Sequence, residues 1–174
     1  MVKIETTRLY LREMIVSDAS DLYALNLDPD VIRYTGDRAF DSIQDAYHFL
    51  EKYDHYENYG FGRWAVIRKQ DDAFLGWCGI KYSSSIDEYD IGYRLMQRYW
   101  GNGYATEAAK ACIDWAFEEL HLRTILGRSM GENVASLRVL EKLGLQYIKT
   151  IQENKEDLRI YKISNPSIRH DSAL

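Results

Sequence analysis

The sequence predicts an α+β fold in which helices pack on both faces of a central mixed sheet. Segments that alternate apolar and polar residues recur along the chain, and three of them follow one another in its middle. Helical apolar periodicity appears both before and after those three segments. The predicted order is β-α-α-β-β-β-α-β-α-β-β, which gives the sheet about seven strands.

The first half of the chain supplies one strand and two helices. Thr7–Met14 alternates as a strand, and Ser17 offers an N-cap for a helix over Asp18–Asn26. A turn signal over residues 28–30 follows. Ser42, with an acidic residue three positions later, resembles a capping box and predicts the second helix.

The second half supplies the remaining strands and two further helices. The predicted strands are Trp64–Arg68, Ala73–Tyr82, Tyr89–Met96, Thr124–Met130, Leu145–Glu153 and Leu158–Ile163. A stripe of small residues from Ala105 to Leu120 predicts a helix packed closely on the sheet, and Val134–Leu143 predicts a helix ended by Gly144. The sequence has only two prolines and no linker-like segment among its 174 residues, which predicts a single domain over residues 1–174.

Composition excludes several classes of function. The net charge is −5 and the basic residues are scattered, so we expect no nucleic-acid partner. No segment reaches the roughly 18 apolar residues of a membrane span, and the first residues lack a signal-peptide core, so we expect a cytoplasmic protein without membrane contact. Cys78 and Cys112 read as small buried hydrophobes, and the four histidines, His170 among them, are dispersed, so no metal site is predicted.

The turn over Trp100–Thr106 is the most informative segment. It leads from a strand through Gly101 and Gly103 into a helix. A helix start offers unpaired N–H groups and a partial positive charge, which can hold a phosphate without basic side chains. The same glycines also suit an ordinary tight turn, and neither a dinucleotide fingerprint nor a Walker loop fits this segment.

Several motifs in order give this turn a specific resemblance. The runs IGYRLMQRYWGNGYATEA and NVASLRVLEKLGL, with TTRLYLRE and DPDVIRYTG, resemble the GNAT N-acetyltransferase superfamily, in its branch of ribosomal-protein N-terminal acetyltransferases (RimJ/RimL type). The resemblance covers residues 6–164 and leaves a short tail over 165–174. It implies a GNAT-like fold, with acetyl-CoA as co-substrate.

The resemblance also implies the residues that hold coenzyme A. The superfamily's [QR]-x-x-G-x-[GA] signature falls on residues 100–105, with Trp100 at its first position, although a literal match begins two residues earlier at Arg98. The residues expected to bind the cofactor are Leu95, Met96, Gly101, Asn102, Gly103, Tyr104, Ala105, Thr106 and Asn133. Leu95 and Met96 would offer backbone groups to the pantetheine arm.

Two residues are expected to assist acetyl transfer. Leu140 stands where the superfamily generally has a Tyr that supplies a proton to the leaving thiolate. The resemblance implies that Ser136, near the sulfur, takes this role instead. Asn133 and Ser136 also suit a plain N-cap and first turn. Asp90 is the leading candidate for the base, although the Asp87-Glu88-Asp90 cluster also suits a solvated acidic face, and a water relay would serve as well.

The acceptor is the least determined partner. Acidic residues near Trp64 and Tyr34 would suit a cationic amine or a peptide N-terminus, so we expect a small-molecule amine or a protein N-terminus as acceptor. Tyr-rich helices could pair two chains as a homodimer. Two alternatives stay open: a non-catalytic CoA-binding regulatory module, and an acyltransferase that uses a longer acyl-CoA.

Overall fold

A computed structural model describes residues 1–168 of the chain. His170 and the rest of the tail over 169–174 lie outside the described residues. The elements, in chain order, are β1 (Val2–Glu5), β2 (Leu9–Glu13), α1 (Ala19–Leu27), α2 (Pro29–Ile32), α3 (Ile43–Glu51), α4 (His55–Tyr59), β3 (Arg63–Arg68), β4 (Ala73–Ser83), β5 (Glu88–Leu95), α5 (Tyr104–Glu119), β6 (Thr124–Met130), α6 (Val134–Lys142), β7 (Gln146–Glu153) and β8 (Glu156–Ser164).

The described strands form one mixed sheet of eight strands, in the order β1-β2-β3-β4-β5-β6-β8-β7. The sequence predicted about seven, and the added strand is β1. Its four residues are too few to show a period, and β1 is defined only by its antiparallel pairing with β2, in which Ile4 lies opposite Leu11. The α+β prediction with a central mixed sheet is confirmed.

Helices cover both faces of this sheet, as predicted. Along β3, Trp64 and Val66 belong to a core with α5, whereas Ala65 and Ile67 belong to a second core with α1 and α3. Because successive strand residues point to opposite faces, one strand contributes to both cores. The sheet therefore separates two compartments, with α5 and α6 on one side and α1 and α3 on the other.

The small-residue stripe of α5 lies flat on the sheet. Ala108, Ala109, Cys112 and Ala116 are fully buried. Cys112 Sγ lies 3.8 Å from Sγ of Cys78 on β4, both thiols are free, and burial raises the pKa of Cys112. The interpretation of both cysteines as small buried hydrophobes is confirmed.

Two local details of the first helices differ from the prediction. The helix predicted over Asp18–Asn26 begins one residue later as α1, after a 3-10 turn over Val16–Asp18. The turn predicted over residues 28–30 starts α2, because Asp28 Oδ1 accepts the N–H of Asp30. Ser42 caps α3 as predicted, accepting the N–H of Asp45 at 3.2 Å.

Candidate active site

The site forms where two neighbouring parallel strands separate. β5 and β6 are paired only at Asp90 with Leu126 and at Ile91 with Gly127. Beyond these pairs β5 stays bonded to β4 as far as Leu95, and β6 stays bonded to β8. A gap therefore opens between β5 and β6 toward their carboxyl ends. Backbone groups that face such a gap can bond to an extended ligand.

The turn over Trp100–Thr106 follows β5 after a 3-10 turn over Gln97–Tyr99, and it includes the first residues of α5. Gly101 and Gly103 adopt φ values of 75° and 77°, a region that glycine enters without steric cost. Gly103 is the N-cap, and the N–H of Glu107 makes a 3.0 Å bond to the Gly103 carbonyl oxygen. The N–H groups of Gly103 through Thr106 precede that bond and have no intrahelical partner. The helix start can thus accept a phosphate.

Arg8 is a basic side chain that lies at this turn and that the sequence did not reveal. Arg8 Nη1 donates to the Asn102 carbonyl oxygen at 2.9 Å, and its guanidinium carbon lies 4.4 Å from the centroid of the Tyr104 ring. A Cβ added to Gly103 would lie 3.5 Å from Arg8 Nη2. Arg8 is 94 positions from Asn102, and no local pattern signals a contact over that separation. Any anion at the turn would therefore meet a guanidinium as well as backbone amides.

Glu107 anchors Arg8 in this position. Its carboxylate accepts hydrogen bonds from the Thr6 hydroxyl at 2.6 Å, the Arg8 N–H at 2.9 Å and Arg8 Nε at 2.7 Å. Burial raises the pKa of Glu107, but these hydrogen bonds outweigh burial and hold it below its ordinary value. Glu107 has a structural role, because it joins the β1–β2 connection to α5.

Leu95 and Met96 are expected to bind the pantetheine arm, but their backbone groups already have hydrogen-bond partners. The indole Nε1 of Trp100 donates to the Leu95 carbonyl oxygen at 2.8 Å. The N–H of Met96 donates to Leu75, and its carbonyl oxygen accepts the N–H of Tyr99, both at 2.9 Å. A ligand would have to share or replace these bonds. Trp100 thereby acquires a structural role that explains an indole at the first position of the signature.

Ser136 lies against β5, in the first turn of α6. Asn133 is the N-cap of α6, and its Oδ1 accepts the N–H of Ser136 at 3.1 Å. The hydroxyl of Tyr93 lies 3.0 Å from the Ser136 carbonyl oxygen and 3.1 Å from Ser136 Oγ. Burial raises the pKa of Tyr93, so this side chain is a neutral hydroxyl at physiological pH. The sequence analysis missed Tyr93, because the contact joins residues 43 positions apart.

Asp90 lies on the opposite face of β5. Tyr93 and Leu95 face α5 and α6, whereas Asp90 and Arg94 alternate with them and face α1 and α3. The Asp90 carboxylate lies 2.5 Å from Nη2 of Arg63, which also bonds the backbone of Gly79 and Asp90. The structure therefore does not bring Asp90 together with Ser136.

The acidic cluster around Asp90 is bonded to other side chains. Glu88 forms an ion pair with Arg128, and Asp87 accepts a hydrogen bond from the Tyr82 hydroxyl at 2.8 Å. Asp90 itself is paired with Arg63. Each of these acids thus has a side-chain partner, although Asp87 is exposed and the Glu88 side chain is 41% exposed, as a solvated face would be.

A cavity of about 230 Å³ lies on this second face, against the separated part of β5. Its apolar wall consists of Met14, Leu22, Phe40, Phe49 and Trp77. Trp64, which the sequence analysis placed in the acceptor cleft, does not line it. That side chain is fully buried in the other core, with its ring 4.9 Å from that of Trp115. Because successive residues of β3 point to opposite faces of the sheet, Trp64 points toward α5. Trp77 on β4 lines the cavity instead.

Two further classes of feature are absent from residues 1–168. His, Cys, Asp and Glu side chains form no group of three there that could hold a metal ion. No helix within this range combines the length and the apolar composition needed to cross a bilayer.

Known proteins are similar to this chain in sequence and in fold. The family described as "Acetyltransferase (GNAT) domain" matches residues 8–146. The chain is 34% identical over 164 residues to the uncharacterized protein YkkB of Bacillus subtilis (strain 168), covering 92% of this chain and 94% of that protein. Further relatives from Bacillus are named as N-acetyltransferases.

Solved structures agree with the family match. The crystal structure of a GNAT-family acetyltransferase from Bacillus anthracis superposes with a TM-score of 0.80 at 26% identity, covering 94% of this chain and 98% of that one. A ribosomal-protein-S5-alanine acetyltransferase from Vibrio fischeri has a TM-score of 0.81 at 19% identity, covering 95% and 98%, a likeness that concerns the fold alone. The separated strands, the glycine turn before α5 and these matches agree: this chain belongs to the GNAT acetyltransferase family and is an N-acetyltransferase.

Proposed function

We propose that this chain transfers the acetyl group of acetyl-CoA directly to a primary amine, with both substrates bound at once. The proposal rests on one observation: the gap between β5 and β6 leads toward the start of α5. The gap between β5 and β6 begins after Ile91 and Gly127, and β5 ends a few residues before the unpaired N–H groups at the start of α5. An elongated thioester with a diphosphate at one end fits such a site.

Coenzyme A would be held mainly by backbone groups. The proposed binding residues are Leu95, Met96, Gly101, Asn102, Gly103, Tyr104, Ala105, Thr106 and Asn133. The diphosphate would meet the N–H groups of Gly103 through Thr106, with Arg8 beside them. Oδ1 of Asn133 already caps α6, so this side chain would offer its amide NH₂ to the pantetheine arm.

In the reaction, the amine nitrogen forms a bond to the thioester carbonyl carbon, and the carbon–sulfur bond breaks. The departing thiolate needs a proton or a hydrogen-bond donor. We assign this role to Ser136, whose hydroxyl is oriented by Tyr93 at 3.1 Å. Tyr93 stays protonated, so if it turns its single proton from the Ser136 carbonyl oxygen to Ser136 Oγ, the serine proton can turn toward the sulfur.

A base must also remove a proton from the attacking amine. Asp90 stays the candidate for this role, but one of its carboxylate oxygens is already bonded to Nη2 of Arg63. A water molecule that passes the proton to Asp90 fits this geometry better than direct contact.

The wider setting is also part of the proposal. The sequence motifs favour the RimJ/RimL branch, in which a protein N-terminus or a small amine would be the acceptor. We place the activity in one domain with its core over residues 6–164. The free, buried Cys78 and Cys112 suit the reducing cytoplasm. Pairing of two chains as a homodimer stays a prediction.

The test is release of free CoA from acetyl-CoA, measured with a thiol reagent in the presence of pooled amines, amino acids and short peptides. Acetyl transfer predicts thiol release that depends on both the protein and the amine pool. Calorimetric binding of CoA without any release would instead identify a non-catalytic binding module. Faster release from butyryl-CoA than from acetyl-CoA would identify an enzyme for longer acyl groups.

A further inference from the structure

The cavity beneath α1 and α3 carries more positive than negative charge. Its charged lining consists of Arg38, Arg63, Arg94 and Asp37. Asp90, the partner of Arg63, brings the acidic count to two against three arginines. A pocket with this balance disfavours a cation, because burying a charge beside like charges is costly.

The three arginines differ in how far their donors are already used. Arg63 bonds the Asp90 carboxylate and the carbonyl oxygens of Gly79 and Asp90. It serves to hold β3, β4 and β5 together beneath the cavity. Because these bonds occupy both Nη1 and Nη2 of its guanidinium, Arg63 is the least available of the three arginines for a ligand.

Arg94 lies on the separated part of β5 and has one N–H donor without a partner among the described residues. Its Nη1 donates to Asn26 at 2.8 Å, and its Nη2 bonds Asp37. The Arg94 side chain is only 9% exposed, and its buried Nε has no hydrogen-bond partner among the described residues. An unpaired buried donor is uncommon and costs free energy until an acceptor reaches it.

Arg38 is the most available of the three. It is exposed at the mouth of the cavity and has no hydrogen-bond or ion-pair partner within residues 1–168. It adjoins Asp37, so the segment that carries Arg38 is tied to Arg94. A guanidinium of this kind recognises a carboxylate through two parallel hydrogen bonds.

We propose that the acceptor of this enzyme is a small amine that carries a carboxylate, namely a free α-amino acid with an apolar side chain. The proposal rests on the function proposed above. Arg38 and Arg94 bind the carboxylate, and Met14, Phe40, Phe49 and Trp77 surround the side chain. The amine then faces the separated part of β5, which carries Arg94.

The size of the cavity also favours a small acceptor. About 230 Å³ is less than the roughly 300–1,000 Å³ of pockets for drug-sized ligands. A protein N-terminus would place a neutral peptide carbonyl where the carboxylate is expected and would leave Arg38 without an anionic partner, since Arg94 alone is paired with Asp37. A polyamine would add a second positive charge beside them.

A matched acceptor series tests the proposal. We would compare L-phenylalanine, L-phenylalaninamide and phenethylamine, together with L-leucine and L-leucinamide, spermidine and an alanyl peptide, by kcat/KM with acetyl-CoA. The amino acids are expected to exceed their amides by about tenfold or more, the factor that one charge-assisted hydrogen bond supplies. Equal or better use of the amides, of spermidine or of the peptide would overturn the proposal.

A pair of variants assigns the effect to the cavity. Arg38→Gln is expected to raise KM for L-phenylalanine about tenfold, while kcat and the KM for L-phenylalaninamide change little. Arg123→Gln removes an exposed arginine outside the cavity, before β6, and is expected to leave all values unchanged. An unchanged KM for L-phenylalanine in Arg38→Gln would contradict the proposal.

A binding measurement separates this proposal from the function beneath it. L-phenylalanine and its amide would be titrated into the protein saturated with CoA, by calorimetry. Preferential binding of the amino acid supports the carboxylate site even if no acetyl transfer occurs, whereas binding without preference, or no binding, contradicts it. Acetyl transfer to other amines would then leave the enzyme function intact and remove only the carboxylate site.

Discussion

The hydroxyl of Tyr93 on β5 lies 3.1 Å from Ser136 Oγ on α6 and 3.0 Å from the Ser136 carbonyl oxygen. This contact joins β5, one of the two strands that border the gap, to α6, which follows the other strand, β6. Because Asn133 also bonds the N–H of Ser136, the serine is fixed at both its backbone and its side chain. In the proposed reaction, a serine held in this way would need little reorganisation to donate to the departing thiolate.

Ser136→Ala is expected to lower kcat by about tenfold to hundredfold while the Kd for CoA changes by less than about threefold, because the hydroxyl acts mainly on the developing thiolate. Single-turnover kinetics and calorimetry measure the two quantities. Tyr93→Phe is expected to give a smaller loss of kcat, since it removes only the group that orients the serine. A Ser136→Ala enzyme with full kcat would remove Ser136 from the chemistry.

Gly103→Val is expected to weaken CoA binding by about tenfold or more, because a branched side chain blocks the approach of a phosphate to the N–H groups of the turn. Gly60→Val is the matched control, since both glycines have a φ of 77° and Gly60 ends α4. Both variants should lose similar stability through backbone strain. Calorimetry that finds CoA affinity equally reduced in the two variants, or unchanged in Gly103→Val, would argue against this phosphate site.

Glu107→Gln is expected to lower the free energy of unfolding by about 1 kcal/mol at pH 7, because a neutral amide makes weaker bonds to Arg8 and Thr6. The pKa of Glu107 lies below its ordinary value of 4.5 in the folded protein. The contribution of its charge is therefore complete above the unfolded pKa and disappears as pH falls through the folded pKa.

Urea unfolding of both proteins between about pH 7 and pH 3 measures this difference. The two stability curves should stay parallel near neutrality and converge at the acid end of the range. A difference that stays constant over the whole range would show that packing, and not the carboxylate charge, stabilises the β1–β2 connection.

Leu140→Tyr, which places a tyrosine where the superfamily generally has one, is expected to destabilise the protein by about 1–3 kcal/mol and to leave Ser136→Ala unrescued. Leu140 is 1% exposed, and a Cβ on Gly127 would lie 2.5 Å from Leu140 Cδ2. No space is left for a phenol. Thermal unfolding measures the loss, and Arg138→Tyr, at an exposed position of the same helix, should cost no more than about 0.5 kcal/mol.

Local sequence patterns were sufficient for most of the elements. The strands around Trp64, the small-residue helix from Ala105 and the cap at Ser42 were predicted because each depends on residues within one turn or one strand. β1 was missed because Val2–Glu5 is defined only by its partner β2. The placement of Trp64 in the cleft was wrong because the sequence gives the alternation along a strand but not which face meets which helix.

By itself the sequence determined the α+β fold, the glycine turn before α5, the positions of Asn133 and Ser136 on one helix turn, and the family resemblance. Only the tertiary structure decided that Arg8 meets that turn, that Tyr93 meets Ser136, that Asp90 is paired with Arg63, and that three arginines line the cavity beneath α1 and α3. The reason is physical: helix caps and strand periods arise from neighbours in the chain, whereas these contacts join residues brought together by the packing of strands and helices distant in sequence.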